Sequence, residues 1–271
     1  MPKLNTSNKE VQEFLINIAT YWIKEFDIDG WRLDVSDEVS LSFWRIFRTA
    51  IKECKPDAVL IGENWHDANV YLMGDQYDSI MNYAFTKAAL DFYAFNTLSS
   101  GEMADKLNGI LMRNSDNVNH MLLNLLDSHD TLRFYTEVKE NKDKLISALA
   151  LLFMYPGAPC IYYGTEIPLE GGYDPDSRRC MNWRKALGKT GLKQIIRRLS
   201  KVKSKIKNGS VKIYSKDNLL IIDRCMNKHV YRLLINNNSY SIKYVLKGLQ
   251  ASNLYSDGYI ASNGFVIDKI S

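Results

Sequence analysis

Three acidic residues, Asp34, Glu63 and Asp130, each stand where an apolar stretch of strand length gives way to polar residues. The carboxyl ends of neighbouring parallel strands meet at one edge, so residues at these positions can share an active site. Three carboxylates in one pocket match the needs of a retaining glycosidase: a nucleophile, an acid/base and a further charge that stabilises a cationic transition state. The three segments therefore predict nucleophilic and acid/base chemistry at a single site.

The residues beside the carboxylates suggest individual roles. Arg32 lies two positions before Asp34, so on a strand both side chains point the same way, and an arginine can hold a nucleophilic carboxylate ionised. Glu63 precedes Trp65 at the end of an apolar strand, where partial desolvation favours the protonated form that a general acid needs. In the third segment, His129 can donate a hydrogen bond to a sugar hydroxyl.

Each residue also has a structural interpretation that these patterns leave open. Arg32 and Asp34 could form an ion pair inside a barrel, and Glu63 could be a surface residue at a strand–helix junction. Asp130 or Ser128 could cap a helix, because Asp and Ser are favoured at that position. The crowding of four polar side chains at one strand end favours the functional interpretation for the third segment.

Helical and strand patterns alternate from residue 7 to about residue 205, which predicts a parallel sheet wrapped by helices. Ser7 and Glu10 have the spacing of a capping box at the start of the first helix. Five strands are predicted, at about 28–34, 58–63, 78–82, 121–126 and 158–162. A closed barrel needs eight strands, so the outer two of these five would expose unpaired backbone.

The pattern changes after about residue 208 to short alternating strands separated by turn residues, which predicts a small antiparallel β domain. We therefore expect two domains, at residues 1–205 and 206–271.

Composition narrows the class of protein. The 46% hydrophobic and 24% charged content is typical of a soluble globular protein, and a net charge of +4 is too small to indicate nucleic acid binding. No stretch approaches 18 apolar residues, so no membrane segment is expected. Four irregularly spaced cysteines favour reduced thiols over a disulfide framework. A cytoplasmic protein is expected, or an extracellular one if a signal peptide lies upstream.

These motifs resemble glycoside hydrolase family 13, the α-amylase family. GWRLDVSDE, GENW and DSHDT are similar to the family segments that carry the nucleophile, the acid/base and a third aspartate. The opening MPKLN and the run EGGYDPD resemble the group of neopullulanases, cyclomaltodextrinases and maltogenic amylases. The motifs follow one another in the family's order, which makes a coincidental fit negligible.

The resemblance implies an α/β fold: the second half of a (β/α)₈ TIM barrel, with about five parallel strands and their helices, followed by a small all-β antiparallel sandwich. It implies that Asp34 is the nucleophile, Glu63 the acid/base and Asp130 the transition-state stabiliser. The implied substrate-binding residues are Arg32, Trp65, His129, Asp174 and Arg178. The family's first active-site segment and strands one to three should lie upstream of Met1.

The resemblance also implies a substrate class. The expected activity is hydrolysis, with retention, of α-1,4-glucosidic bonds in cyclomaltodextrins, maltodextrins or pullulan, and transglycosylation could accompany it. The expected partners are α-glucan oligosaccharides or cyclodextrins, together with the missing N-terminal half or a further copy of the chain. Neither nucleic acid, a membrane nor a cofactor is expected. No metal is expected either, because the family's calcium sites mostly use the upstream segments.

Two alternatives stay open. The chain could be a non-catalytic remnant or split-gene subunit that binds glucan or completes a partner barrel, which the open sheet edge favours and the three carboxylates disfavour. It could also be a sucrose- or trehalose-processing relative, against which the MPKLN opening and the EGGYDPD run weigh.

Overall fold

The computed structural model describes residues 3–188 and 191–271. Met1 and Pro2 of the opening motif therefore lie outside the described residues. The chain divides into two compact units. The first runs to Tyr83 and includes Arg113–Leu123, and the second comprises Ala84–Met112 and Asn124–Ser271. The predicted domains at 1–205 and 206–271 follow another division and stay a prediction.

The predicted parallel sheet with its helices is confirmed. Its five strands are β1 (Gly30–Leu33), β2 (Val59–Gly62), β3 (Ser79–Asn82), β4 (Leu123–Leu125) and β5 (Ala158–Cys160). The pairs β1–β2 and β2–β3 are parallel. The α-helices of the described residues are α1 (Lys9–Phe26), α2 (Leu41–Cys54), α3 (Tyr83–Tyr93), α4 (Ser100–Leu111), α5 (Asp116–Met121), α6 (Phe134–Glu137), α7 (Lys142–Met154), α8 (Trp183–Leu187) and α9 (Gly191–Ile206).

The N-cap of helix α1 lies one residue later than the predicted one. Asn8, not Ser7, is the N-cap, and its side chain accepts hydrogen bonds from the backbone N–H groups of Glu10 and Val11. The N–H of Ser7 instead donates to the side chain of Asn5 in the preceding turn. The predicted Ser7–Glu10 capping box is therefore wrong, because asparagine caps a helix as well as serine does and stands one position closer to its first turn.

The core of the first unit lies between helices α1 and α2 and strands β1 and β2. Its buried members include Ala19, Ile23, Leu33, Phe43, Phe47, Ile51 and Leu60. Gly30 allows the close approach of β1 to β2, because a Cβ atom there would lie 1.9 Å from the carbonyl oxygen of Val59. This packing fixes the ends of β1 and β2, where two of the candidate site segments begin.

The second unit contains the predicted antiparallel strands, which are confirmed. They are β6 (Ser210–Lys216), β7 (Leu219–Met226), β8 (His229–Ile235), β9 (Ile242–Lys243), β10 (Leu249–Ser256) and β11 (Tyr259–Lys269). One face of this sheet shares a hydrophobic core with helices α3, α4, α7 and α9. Every residue of α7 from Leu145 to Met154 is buried, as expected for a helix covered on all sides.

Two cations, the buried Arg224 and the partly buried Lys203, bind the ends of α7 and α9. The guanidinium group of Arg224, on β7, donates to the carbonyl oxygens of Met154 (2.9 Å), Ile206 (2.9 Å) and Gly209 (2.8 Å). The Nζ atom of Lys203 donates to the carbonyl oxygen of Tyr155 at 2.7 Å. Burial, with Arg224 nearby, lowers the pKa of Lys203 to about 7. These cations donate to carbonyl groups at and just beyond the C-terminal ends of α7 and α9, where a helix supplies few donors of its own.

Among the residues with described structure, no helix combines the length and the apolar character needed to cross a membrane.

Candidate active site

The ends of β1 and β2 bring Arg32, Asp34 and Glu63 together in the first unit. The Nη1 atom of Arg32 contacts the Asp34 carboxylate, and its Nη2 atom lies 2.8 Å from Oε1 of Glu63. The side chain of Asp34 is 74% exposed, whereas that of Glu63 is only 3% exposed. One guanidinium group therefore contacts two carboxyl groups, one open to solvent and one buried.

The backbone after Asp34 holds the Glu63 carboxylate in place. The N–H of Val35 donates to Oε2 of Glu63 at 2.9 Å. Val35 has left-handed backbone angles (φ 43°, ψ 45°), which a β-branched residue rarely adopts. Such strain persists only where the surrounding structure imposes it, and it often marks a functional site.

Ser36 holds the backbone of Glu63. Its Oγ donates to the carbonyl oxygen of Glu63 at 2.8 Å, and its own carbonyl oxygen accepts from Trp44 Nε1 (2.8 Å) and the Tyr77 hydroxyl (3.0 Å). Gly62 leaves room for this contact, because a Cβ there would lie 2.6 Å from the Tyr77 ring and 2.9 Å from Ser36 Oγ. Sequence analysis missed Ser36, and Gly62 directly before Glu63 was the one available signal.

Trp65 forms a flat aromatic surface with Tyr83. The two rings stack at a centroid distance of 3.7 Å with an interplanar angle of 11°, and Trp65 is 45% exposed. An exposed stacked indole of this kind can pack against the apolar face of a sugar ring.

The second unit brings His129, Asp130, Asp174 and Arg178 together. Asp130 contacts Nε2 of His129 at 3.0 Å and Nη2 of Arg178 at 3.1 Å. Nε of Arg178 lies 2.7 Å from Oδ1 of Asp174. All four side chains are partly exposed and can offer both hydrogen-bond donors and acceptors to a ligand.

A buried arginine, which sequence analysis missed, supports this second cluster. Nε of Arg133 donates to the carbonyl oxygen of Ser177 at 2.8 Å, and Ser177 Oγ donates to the carbonyl oxygen of His129 at 2.9 Å. The guanidinium carbon of Arg133 lies 3.8 Å from the ring centroid of Tyr162 and 4.5 Å from that of Tyr163. Arg133 thus ties the turn that carries Arg178 to the segment that carries Asp130.

The helix-cap interpretation suggested that Asp130 or Ser128 binds the start of a helix. In the structure Asp127 does so. It is buried, and its Oδ2 accepts from the N–H of Phe134, the first residue of α6, at 2.8 Å. Burial raises the pKa of Asp127 to about 6, although that hydrogen bond and the charge of Arg133 act in the opposite direction.

The eight predicted site residues therefore fall into two clusters and a stacked ring pair. Arg32, Asp34 and Glu63 meet in the first unit, where Trp65 also lies, and His129, Asp130, Asp174 and Arg178 meet in the second. The convergence of all three carboxylates on one pocket stays a prediction. Within the described residues, no group of three or more His, Cys, Asp or Glu side chains could hold a metal ion.

Comparison with known proteins assigns these motifs to a family. Residues 1–221 match the family model described as alpha amylase, catalytic domain. The chain belongs to the alpha-amylase family. It is 48% identical over 199 residues to an intracellular maltogenic amylase of Bacillus subtilis, a match that covers 73% of this chain and 34% of that protein. It is 50% identical over 183 residues to a cyclomaltodextrinase of Thermoanaerobacter pseudethanolicus, covering 68% of this chain and 32% of that enzyme.

A solved structure also resembles this chain closely. The cyclic alpha-maltosyl-(1→6)-maltose hydrolase of Arthrobacter globiformis, in complex with its cyclic substrate, superposes with a TM-score of 0.88 at 28% identity, covering 99% of this chain and 62% of that one. The chain spans about a third of the length of the two curated relatives. The predicted family and its maltogenic amylase and cyclomaltodextrinase group are confirmed.

Proposed function

We propose that this chain carries the catalytic carboxylates of a retaining glycosidase that cleaves α-1,4-glucosidic bonds. The observation that carries the proposal is the contact of one guanidinium group, that of Arg32, with both Asp34 and Glu63. A retaining enzyme places its nucleophile and acid/base close together, about 5 Å apart, and two carboxyl groups that contact the same guanidinium group are neighbours. Membership of the alpha-amylase family supports the same chemistry.

In the proposed first step, an oxygen of Asp34 attacks the anomeric carbon while Glu63 gives its proton to the departing glycosidic oxygen. The exposure of Asp34 suits the nucleophile, and the burial of Glu63 suits a proton donor shielded from water. In the second step, water attacks the anomeric carbon, Glu63 takes its proton and the Asp34 ester bond breaks. The sugar leaves with the configuration it had in the substrate.

The second cluster is proposed to hold the sugar on the non-reducing side of the bond. Asp130, paired with His129 and Arg178, can accept hydrogen bonds from hydroxyl groups and stabilise positive charge at the anomeric carbon. Asp174 and Arg178 can clamp neighbouring hydroxyl groups. The stacked pair of Trp65 and Tyr83 is proposed to line the acceptor side.

Cyclomaltodextrins, maltodextrins and pullulan are the proposed substrates, and transglycosylation is proposed to accompany their hydrolysis. The named cyclomaltodextrinase and the Arthrobacter hydrolase both act on cyclic glucans, according to their names. An intracellular location is proposed from the name of the Bacillus subtilis relative. The four cysteines of the chain are free in the structure, which is usual for cytosolic proteins.

The proposal is tested by measuring glucose and maltose released from β-cyclodextrin. The 271-residue chain is assayed alone and after co-expression with the part of the Bacillus subtilis maltogenic amylase that precedes the matched segment. We expect little turnover by the chain alone and clear turnover with the added part. Asp34→Asn and Glu63→Gln should each lower that turnover about 1,000-fold or more.

Asp57→Asn is the matched control, because Asp57 is an exposed residue of the turn before β2. It should leave turnover within about twofold. Mass spectrometry after reaction with 5-fluoro-α-glucosyl fluoride should place the trapped sugar on Asp34. Undiminished turnover by either carboxylate variant, or a trapped sugar on another residue, would overturn the assignment of roles.

A non-catalytic role is the second candidate, because β1 pairs with β2 alone among the described strands and so leaves one edge free. A subunit that only completes a partner barrel would restore the partner's turnover equally well with Asp34→Asn and with the unchanged chain. That result would favour this second candidate.

A further inference from the structure

Three basic side chains line a cavity in the first unit, between helix α2 and the segment before β3. The cavity has a volume of about 360 Å³, which is in the range of small-molecule sites in proteins. Residues at positions i, i+3, i+4 and i+7 of α2 form one wall, so they share one face of the helix. The lining residues are Arg45, Arg48, Thr49, Lys52, Gly74 and Asp75.

Two carboxylates accompany the three cations of this cavity. Asp78 lies 2.8 Å from Nη1 of Arg48 and 2.9 Å from Nζ of Lys52. Asp75 lies 2.5 Å from Nε of Arg45, and this hydrogen bond lowers the pKa of Asp75. Both carboxylates are therefore ionised near neutral pH, and one positive charge is left without a counter-charge among these groups.

The two arginines keep donor groups that nothing in the described residues occupies. Arg45 donates to Asp75 through Nε alone, so its two terminal nitrogen atoms have no partner in that part of the chain. Arg48, within the same described residues, donates through Nη1 alone, to Asp78 and to the carbonyl oxygen of Gln76. The side chains of Arg45 and Arg48 are 53% and 20% exposed, so a ligand can reach them. Planar guanidinium donors match the oxygen atoms of a phosphate group.

The walls of the cavity are fixed before any ligand binds. Asp78, which holds Arg48, also accepts from the backbone N–H of Leu60 on β2 at 2.9 Å. On the opposite wall, the buried side chain of Gln76 donates through Nε2 to the carbonyl oxygen of Val70 at 3.0 Å. Charges that are already in place lower the ordering cost of binding.

The lining favours a phosphate group that carries a sugar over a bare phosphate ion. Asp75 would repel a bare ion at close range. Its carboxylate is 46% exposed and can accept hydrogen bonds from sugar hydroxyl groups, and the exposed hydroxyl group of Thr49 can bind a further one. If each heavy atom takes roughly the 30 Å³ of one liquid water, a phosphate ion fills less than half of the cavity.

We propose that this cavity binds a sugar phosphate, with the phosphate group on Arg45 and Arg48 and the sugar hydroxyl groups on Asp75 and Thr49. The site is independent of the proposed glycosidase activity, because none of its residues is assigned to that reaction.

A ligand in this cavity would also join two segments that hold the backbone of Ser36. Trp44, which precedes Arg45, and Tyr77, which lies two residues after Asp75, both donate to the carbonyl oxygen of Ser36. We therefore expect a bound sugar phosphate to raise the melting temperature of the chain.

Calorimetric titration of the 271-residue chain tests the proposal, with glucose 6-phosphate, glucose and inorganic phosphate as probes. An ionic strength of about 0.15 M screens nonspecific attraction between charges. We expect glucose 6-phosphate to bind at least tenfold more tightly than either other probe. Arg45→Gln should weaken its binding at least tenfold, because charge-assisted hydrogen bonds are lost. Lys24→Gln, which removes an exposed cation from α1, is the matched control and should leave the affinity within twofold.

Asp75→Asn gives a second readout. It should strengthen the binding of inorganic phosphate and narrow the preference for glucose 6-phosphate, because one carboxylate supplies both the repulsion and the acceptor. Circular dichroism checks that each variant is folded, and Thr49→Glu, at an exposed lining position, replaces Arg45→Gln if the latter is not.

Four results would each overturn the proposal. They are no binding of glucose 6-phosphate, equal binding of glucose 6-phosphate and either other probe, an affinity that neither Arg45→Gln nor its replacement weakens, and a preference that Asp75→Asn does not narrow.

Discussion

Glu63 shows how much of a site can depend on residues that perform no chemistry. Its carboxylate accepts from the strained backbone of Val35, and its carbonyl oxygen accepts from the buried hydroxyl of Ser36. The carbonyl of Ser36 is held in turn by Trp44 and Tyr77. The side chains that fix Glu63 therefore come from α2 and from the segment before β3, and Gly62 provides the space in which they meet.

Gly62→Ala tests this packing. The added methyl group would press on the Tyr77 ring and on Ser36 Oγ, so we expect the free energy of unfolding to fall by about 1–3 kcal/mol. Urea denaturation measures the change. Gly109→Ala is the control, because Gly109 lies inside α4 with open space around its Cα, and that change should stabilise by up to about 1 kcal/mol. Equal effects of the two substitutions would show that Gly62 is not tightly packed.

Asp127 predicts a pH dependence of stability. Its pKa is raised to about 6 in the folded protein, so between about pH 4 and pH 6 the folded state holds a proton that the unfolded state releases, and stability falls as the pH rises. Asp127→Asn keeps an acceptor for the N–H of Phe134 without the charge. We expect this variant to gain about 3 kcal/mol over the unchanged protein between pH 4 and pH 8.

Urea unfolding at pH 4, 6 and 8 measures that difference. Asp57→Asn, at an exposed position, is the comparison and should show no comparable change between these pH values. A constant difference between Asp127→Asn and the unchanged protein at all three pH values would contradict the prediction.

At the scale of elements, cationic side chains bind the C-terminal ends of α7 and α9, and one of these side chains lies on β7. Arg224 and Lys203 supply donors to four carbonyl groups near these ends, and no carboxylate takes part in these contacts. The negative end of each helix dipole compensates part of their charge. The antiparallel sheet is thus attached to the helices by hydrogen bonds to backbone as well as by the shared apolar core.

Lys203→Met should change the pH dependence of this attachment. The pKa of Lys203 is lowered to about 7, so below pH 7 the folded protein bears the cost of a buried ammonium group, and this cost disappears as the pH rises from 7 towards 10. We expect Lys203→Met to stabilise most near pH 6, by about 3 kcal/mol or less, and to lose that advantage by pH 10. Lys201→Met, an exposed change on the same helix, controls for net charge. Thermal unfolding across this pH range measures the stability difference. A stabilisation by Lys203→Met that does not change with pH would contradict the prediction.

At the scale of the whole molecule, periodicity predicted which elements form. The long helices α1, α2 and α9 have clear apolar faces, α7 is apolar over most of its length, and the five parallel strands are short apolar stretches. The short helices α5, α6 and α8 were missed, because four to six residues are too few to establish a period. The start of α1 was predicted one residue early, because adjacent Ser and Asn are nearly equal as caps.

A candidate site residue could be predicted only where its neighbours in the sequence indicate its role. The charged side chains stand at or near strand ends, so Arg32, Asp34 and Glu63 could be selected as candidates from the sequence, and the structure places them in contact. Arg133 and Ser36 were not, because their partners are distant in the chain: the Arg133–Ser177 contact spans 44 residues. A buried arginine stacked on Tyr162 leaves no local pattern, since only the folded chain brings those rings to it.

The exposed aromatic residues of α1 also affect the newly synthesised chain before it has folded. A nascent chain that displays Phe14, Trp22 and Phe26 to water offers the kind of surface that chaperones recognise and that drives self-association at high concentration. Its yield in a cell would then depend on how quickly this surface is covered.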